Sequence, residues 1–370
     1  MKAFFRGIRS LFVFLPFLGL VASLAGCSSF ATQKAWPQGL TNAEIVRLRQ
    51  APVAVRPWPA GGTGGVVIQT THYRIYTTLR NPVERVLISR VVEAAYQRFV
   101  ALVPHTRIHS PLIGYIFRNR RQWTAHVRAT AGSLASVYLR IEEGGYEQTG
   151  QFVIWRTSLS EMLSVLAHEC WHQLSYRSLK NHLPAWLDEG LATQNEIFFW
   201  RHGRPVFTPW LNRPRWDALR AAYVNHEFLP LNTLASTQAG EIITQSAGVV
   251  RAYYAEVWSF MLYLKHSRYR PRLLALLHAA HDGQLNRWLA KSGLSQKDIA
   301  LQTVRWNSIA GPLFLHDCIT LHDRTLQRRY LRFVQHLLAT WPPHPPMLVG
   351  HPAALMPQAT ASISTALGRQ

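Results

Sequence analysis

The chain has 370 residues, 48% of them hydrophobic, with 40 Lys and Arg against 19 Asp and Glu and a net charge of +21. Three cysteines are too few for a disulfide framework, and no nucleic-acid motif accompanies the positive charge, which argues against nucleic acid as a partner. The cations are scattered, as at Arg118, Arg120 and Arg121, at Arg268, Arg270 and Arg272, and at Arg328, Arg329 and Arg332, so no compact basic tail exists.

At the N-terminus Lys2, Arg6 and Arg9 precede an apolar stretch from Leu11 to Leu24, which ends in Leu24-Ala25-Gly26-Cys27. Small residues before a cysteine at the end of such a stretch resemble the lipobox of bacterial lipoproteins. The resemblance implies a signal peptide over 1–26 and a mature protein beginning at an acylated Cys27, held on the membrane by several acyl chains. Ser28, rather than Asp, resembles the default for outer-membrane sorting, so the expected location is the outer membrane, facing the periplasm. Loss of Lys2, Arg6 and Arg9 lowers the net charge by three, to +18. For such a protein, anionic lipid or an acidic cell-wall polymer is the suitable counterpart of the charge, unless the cations are simply solvated. No other stretch is apolar for the 18 or more residues that a membrane-spanning helix needs. With Cys27 acylated, only Cys170 and Cys318 remain.

Residues 27–65 read as a tether. Thr41-Asn42-Ala43-Glu44 is a capping box that opens a short helix to about Gln50, and Arg56 to Gly65 is a Pro- and Gly-rich linker. The main folded domain is expected over 66–335, either as one domain or as two lobes around a cleft. Its first part, 66–156, is β-rich. Val66 to Tyr76 predicts one or two strands, Pro82 to Leu102 an amphipathic helix, Leu112 to Phe117 a strand, and Gly150 to Arg156 another. The part from 157 to 335 reads as mostly helical, giving an α+β fold. Beyond His336 the chain turns Pro-rich, and 336–370 is expected to be a disordered tail.

The helical part opens on the most informative run of the chain. Ser158 and Glu161 form a capping box, and no Gly or Pro interrupts Leu159 to Leu174. Within it lies His168-Glu169-Cys170-Trp171-His172. Two histidines four apart share one helix face and can ligate one Zn²⁺, and the glutamate after the first is placed to deprotonate a metal-bound water. Leu159, Leu163, Leu166 and Cys170 fall on the opposite face and form the core side of the helix. Pro184 then suits the first turn of a second helix, with Asn181 or His182 as its cap, running from Ala185 to about Trp200. Glu189 in its first turns would complete a three-ligand set with an open fourth position, the arrangement of a catalytic zinc site. Gly190 beside it is explained by a close approach of these two helices.

The run His168 to Ala192 resembles the gluzincin metallopeptidases, which carry an HExxH helix followed by a helix bearing a third ligand Glu. Trp186-Leu187-Asp188-Glu189-Gly190-Leu191-Ala192 is similar to the corresponding run of the zinc aminopeptidases of that superfamily. The sixteen residues between His172 and Glu189 are more like the small bacterial peptidase MA-like proteins. The resemblance is good over about 110 residues, from His168 to about Leu277, and loose over the preceding 100. It implies a thermolysin-like fold, a small mixed sheet followed by a helical subdomain with the zinc cleft between. By the same resemblance His168, His172 and Glu189 are the ligands of one zinc ion, and Glu169 is the general base. Tyr253-Tyr254-Ala255-Glu256-Val257-Trp258 resembles a later helix of these proteins. The resemblance makes Tyr254, with Tyr253 as the alternative, the phenol that hydrogen-bonds the developing oxyanion. The amine-capturing Gly-x-Met-x-Asn segment of the aminopeptidases has no counterpart, which favours an endopeptidase. The strand at Gly150 to Arg156 either forms the cleft rim that pairs with an extended substrate or is an interior strand.

The expected function is therefore a lipid-anchored zinc metallopeptidase acting on peptide or protein substrates of the cell envelope. Two alternatives stand beside it: a catalytically silent envelope scaffold of the same fold, and an amide hydrolase acting on cell-wall material.

Overall fold

The computed structural model describes residues 37–340, apart from 38, 63, 142–143, 243–244, 290–291 and 302–303. Residues 1–26, Cys27 and the segment beyond 340 lie outside the described residues.

The fold is α+β, a mixed six-stranded sheet followed by a mostly helical half. Helix α1 (Asn42–Gln50) is opened by the Thr41–Glu44 capping box. Strands β1 (Ala54–Pro57), β2 (Val66–Gln69) and β3 (Tyr73–Thr77) follow, then helix α2 (Pro82–Leu102) and strand β4 (Leu112–Phe117). Helices α3 (Arg120–Thr130) and α4 (Ala135–Tyr138) lead into the hairpin of β5 (Gly145–Gln148) and β6 (Gln151–Trp155). Thr149 and Gly150 both have positive φ, as a two-residue hairpin turn of matching twist requires. The strand order is β1-β2-β3-β4-β6-β5, with β3, β4 and β6 parallel and the remaining pairs antiparallel.

Alternation along β6 shows why this sheet is covered on both faces. Phe152 and Ile154 point into the main core with α2 and the helix that follows β6, whereas Val153 and Trp155 pack with Trp123 and Tyr138 of α3 and α4. β6 is therefore the interior strand of the two sequence readings, and the edge beside the site is β5. Polar Glu147 and Gln148 concealed that strand; pairing with β6 and the stacking of Tyr146 on Tyr138, centroids 3.9 Å apart, hold it in place.

The helical half begins with α5 (Leu159–Ser178), capped by the Ser158–Glu161 box, and α6 (Ala185–Thr193). A hairpin of β7 (Phe198–Arg201) and β8 (Arg204–Phe207) precedes α7 (Arg213–Val224), α8 (Leu231–Ser236), α9 (Ala239–Ile242) and α10 (Ala247–Lys265). Helices α11 (Arg270–His281), α12 (Asn286–Leu289), α13 (Gln296–Leu301), α14 (Val304–Phe314) and α15 (Asp323–Thr340) complete the described chain.

Several expectations are corrected. Residues 42–57, expected within the tether, belong to the folded unit: Leu48 of α1 is buried in the main core and β1 pairs with β2. The second helix of the motif stops at Thr193 rather than near Trp200. Its end is set by tertiary bonds, with Gln194 Nε2 donating to Trp258 O and Arg98 Nε donating to Asn195 Oδ1. Pro184 is itself the N-cap of α6; Asn181 instead accepts from the Leu285 amide. At the other end α15 continues to Thr340, so the boundary expected at 336 falls inside a helix. Cys170 and Cys318 are free thiols.

Candidate metal centre

α5 is buried on nearly all sides, unlike the two-faced helix the sequence suggests. His168, Glu169 and Glu189 are 0% exposed and His172 3% exposed, so the candidate ligands of α5 and α6 are enclosed rather than set on the wall of an open cleft. One helical turn separates the two imidazoles, and their Nε2 atoms stand 3.1 Å apart. Glu189 Oε2 is 3.4 Å from His168 Nε2 and 3.5 Å from His172 Nε2.

Those three separations carry chemical information. Ligand atoms about 2.0–2.1 Å from a tetrahedral zinc lie about 3.3–3.4 Å from one another. The observed edges match that triangle, and the group can hold a metal ion. The other ring nitrogens explain why the Nε2 lone pairs converge. His172 donates Nδ1–H to Asp188 Oδ2 at 2.8 Å, and the Trp171 indole donates to Asp188 Oδ1 at 2.8 Å. His168 donates Nδ1–H to Glu196 Oε1 at 3.0 Å. With both Nδ1 protons directed at carboxylates, both Nε2 atoms present lone pairs to the same point, an arrangement a cation relieves.

Electrostatics favour a cation there too. Burial would lower both imidazoles, but the surrounding carboxylates outweigh it: Glu189 and Glu196 raise His168, and Asp188 and Glu189 raise His172 well above the usual histidine range. Glu189 is held below the ordinary carboxylate value because the two imidazoles overcome its desolvation. Burial likewise opposes ionisation of Glu196, yet Arg215 and His168 hold it down to about 2.

Glu169, like Glu189, is buried without a hydrogen bond, but its acidity moves the other way. Neither carboxylate oxygen has a hydrogen-bond partner among the described residues, and burial, reinforced by Glu189 and Glu147, pushes the group up to about 8. Glu147 on edge strand β5 faces the same side of the sheet, accepts from the Gly150 amide, and is pushed by burial up to about 7.

Tyr253 and Tyr254 are brought to this place by α10. Gly190 allows it, since a Cβ there would stand 3.1 Å from Val257 O and 3.0 Å from Met261 Cε. The close approach that this glycine permits is thus between α6 and α10, not between the two motif helices. Both phenols are buried, and burial together with Glu189 raises them well above the usual tyrosine range. Glu169 is among the charges acting on Tyr254, whereas Asp188 is the second charge acting on Tyr253.

Of the residues singled out from the sequence, the structure brings His168, His172 and Glu189 into one buried group, and Glu169 and Tyr254 are buried where the charge of Glu189 acts on both. Sequence reasoning assigned no role to Asp188, although that residue stood in the quoted run. It missed Glu196, Arg215, Asn212 and Glu147, for which no local spacing gives a signal. No family model, curated protein or solved structure matches the chain.

Proposed function

We propose that the chain is a zinc-dependent hydrolase that cleaves peptide bonds, tethered in the bacterial cell envelope through an acylated Cys27. The observation that carries this reading is the convergence of two carboxylate-oriented Nε2 atoms and one carboxylate oxygen at the edge lengths of a zinc tetrahedron, beside an unpartnered Glu169.

His168, His172 and Glu189 would hold the ion, which when bound supplies Lewis acidity toward water and toward a carbonyl oxygen. The chain's own groups divide the remaining work. Glu169, without a competing hydrogen bond, takes a proton on its carboxylate and returns it to the leaving amine. Tyr254 stays protonated across the physiological range and donates its O–H to a developing oxyanion. Asp188 and Glu196 keep both imidazoles in the ligating tautomer.

One observation favours a second reading. The ligand residues are almost wholly buried, as in a metal site that clamps helices together, so a scaffold without turnover is the alternative.

The test is zinc content and cleavage of casein and a peptide library by the purified chain, beside Glu169→Gln. The metallopeptidase reading requires about one zinc in both proteins and a loss of about 10²–10⁴-fold in rate for the variant. Equal zinc with no cleavage by either supports the scaffold. A folded parent that takes up no zinc ends both readings.

A further inference from the structure

We infer that Arg215 is a positioning residue, a single buried cation that fixes the ligand imidazole of His168 and the ring of Tyr254 relative to one another. The inference deepens the zinc-hydrolase reading and rests on it.

Arg215 lies in the first turn of α7 and is 2% exposed. Its guanidinium grips Glu196 with both prongs, Nε donating to Oε2 at 3.0 Å and Nη2 donating to Oε1 at 2.6 Å. Oε1 is the same oxygen that accepts Nδ1–H of His168. Asn212 closes the arrangement. Its Nδ2 donates to Glu196 Oε2 at 2.7 Å, while its Oδ1 caps α7 by accepting from the Arg215 amide. Glu196 is thereby bound to the start of α7 by three hydrogen bonds and has one oxygen shared with the metal-ligand histidine. On its other side the guanidinium carbon sits 5.0 Å from the centroid of the Tyr254 ring on α10. Three helices that the chain reaches at residues 168, 215 and 254 meet through this one side chain.

Two physical points make this more than packing. A fully buried ion pair is a poor stabilising device, because desolvation offsets most of the attraction, so orientation accounts for this one better than stability does. A planar fork that binds a carboxylate with two parallel N–H bonds while resting on an aromatic face is also a task that lysine cannot perform. The charges agree with a metal role as well. Arg215 and Glu196 cancel, so His168 meets a dication as a neutral ligand. The cation that orients it does not repel the ion.

Zinc affinity by chelator competition, the visible absorption of the cobalt(II)-loaded chain, and melting of the metal-free chain test this with Arg215→Lys, Glu196→Gln and Tyr254→Leu. Arg215→Lys is expected to weaken zinc by about 10–100-fold and to alter the cobalt bands, beyond any change in metal-free melting. Glu196→Gln gives the same loss without deleting volume, and decides the matter should Arg215→Lys not fold. Tyr254→Leu removes the ring under the guanidinium, weakens zinc by several-fold, and adds little on top of Arg215→Lys. Folded Arg215→Lys and Glu196→Gln with parental zinc affinity and cobalt bands would overturn the inference while leaving the zinc reading intact. Additive losses in the Arg215–Tyr254 pair would remove Tyr254 from it. A parent that binds neither zinc nor cobalt removes the zinc reading, and the inference with it.

Discussion

Asp188 receives two buried N–H groups, the Trp171 indole and Nδ1–H of His172, one on each carboxylate oxygen. Asp188→Asn keeps the volume but turns one acceptor into a donor, which must then face another N–H. Either the indole loses its partner or His172 takes the other tautomer and withdraws its lone pair from the ion. Zinc affinity is expected to fall by about 10–100-fold, read by chelator competition, with a stability loss of about 1–3 kcal/mol in urea unfolding. Unchanged affinity would mean that the tautomer of His172 is fixed by something other than Asp188. At this scale the sequence was legible wherever placement follows helical spacing, as for His168, Glu169 and His172 on α5. Asp188 stood one residue before the proposed ligand Glu189 without betraying a role. Glu196 was illegible for a clear reason: it lies in the turn after α6 and its meaning comes from Arg215, nineteen positions on in α7.

Among the elements, α6 and α10 meet at Gly190, and that contact sets where the two tyrosines face Glu189. A glycine in a helix ordinarily costs about 1 kcal/mol relative to alanine. Here a methyl would stand 3.1 Å from the backbone carbonyl of Val257, which cannot turn aside as Met261 can. Gly190→Ala is therefore expected to lower stability by about 1–2 kcal/mol despite the better helix propensity, seen as a lower urea midpoint. A rise in the midpoint would show the interface to be loose. Elsewhere on α10 the Glu256 carboxyl accepts the Leu229 amide with both oxygens, at 3.2 and 3.0 Å, and burial pushes it up to about 9. It folds in the protonated form, so the unfolded chain binds fewer protons once the pH exceeds the ordinary glutamate value. Glu256→Gln should raise the melting temperature clearly at pH 8 and little at pH 5. The reverse order would refute burial as the cause. Helices with their own caps, α1, α2 and α5, were legible to the residue at their starts. The end of α6 and the strand β5 were not, because tertiary hydrogen bonds and strand pairing decide them.

Across the whole molecule, 19 carboxylates face 40 cationic side chains, yet five of those carboxylates, Glu147, Glu169, Asp188, Glu189 and Glu196, gather around the two histidines. A basic protein has thus gathered a cluster of carboxyl groups inside, and that cluster has a pH signature. Glu147 at about 7, Glu169 at about 8 and Glu256 at about 9 all ionise later in the folded chain than the ordinary 4.5. His168 and His172 also hold their protons above the ordinary 6.5. Each of these groups binds more protons folded than unfolded over its own window, from 4.5 to about 7 for Glu147, about 8 for Glu169 and about 9 for Glu256, and from 6.5 upward for the histidines, so their contribution to stability declines as pH rises. Glu196 acts in the opposite sense, its contribution vanishing only as pH falls from 4.5 toward about 2. The metal-free chain should accordingly melt highest near pH 5 and progressively lower toward pH 9. Zinc competes for the same lone pairs as those protons, so its affinity grows as they leave. The rise in melting temperature on adding zinc should then be larger at pH 8 than at pH 5, partly restoring what the metal-free chain lost. Differential scanning fluorimetry with a chelator and with zinc, from pH 5 to 9, reads both slopes. A zinc effect that shrinks as pH rises would place the bound ion away from the protons of His168 and His172.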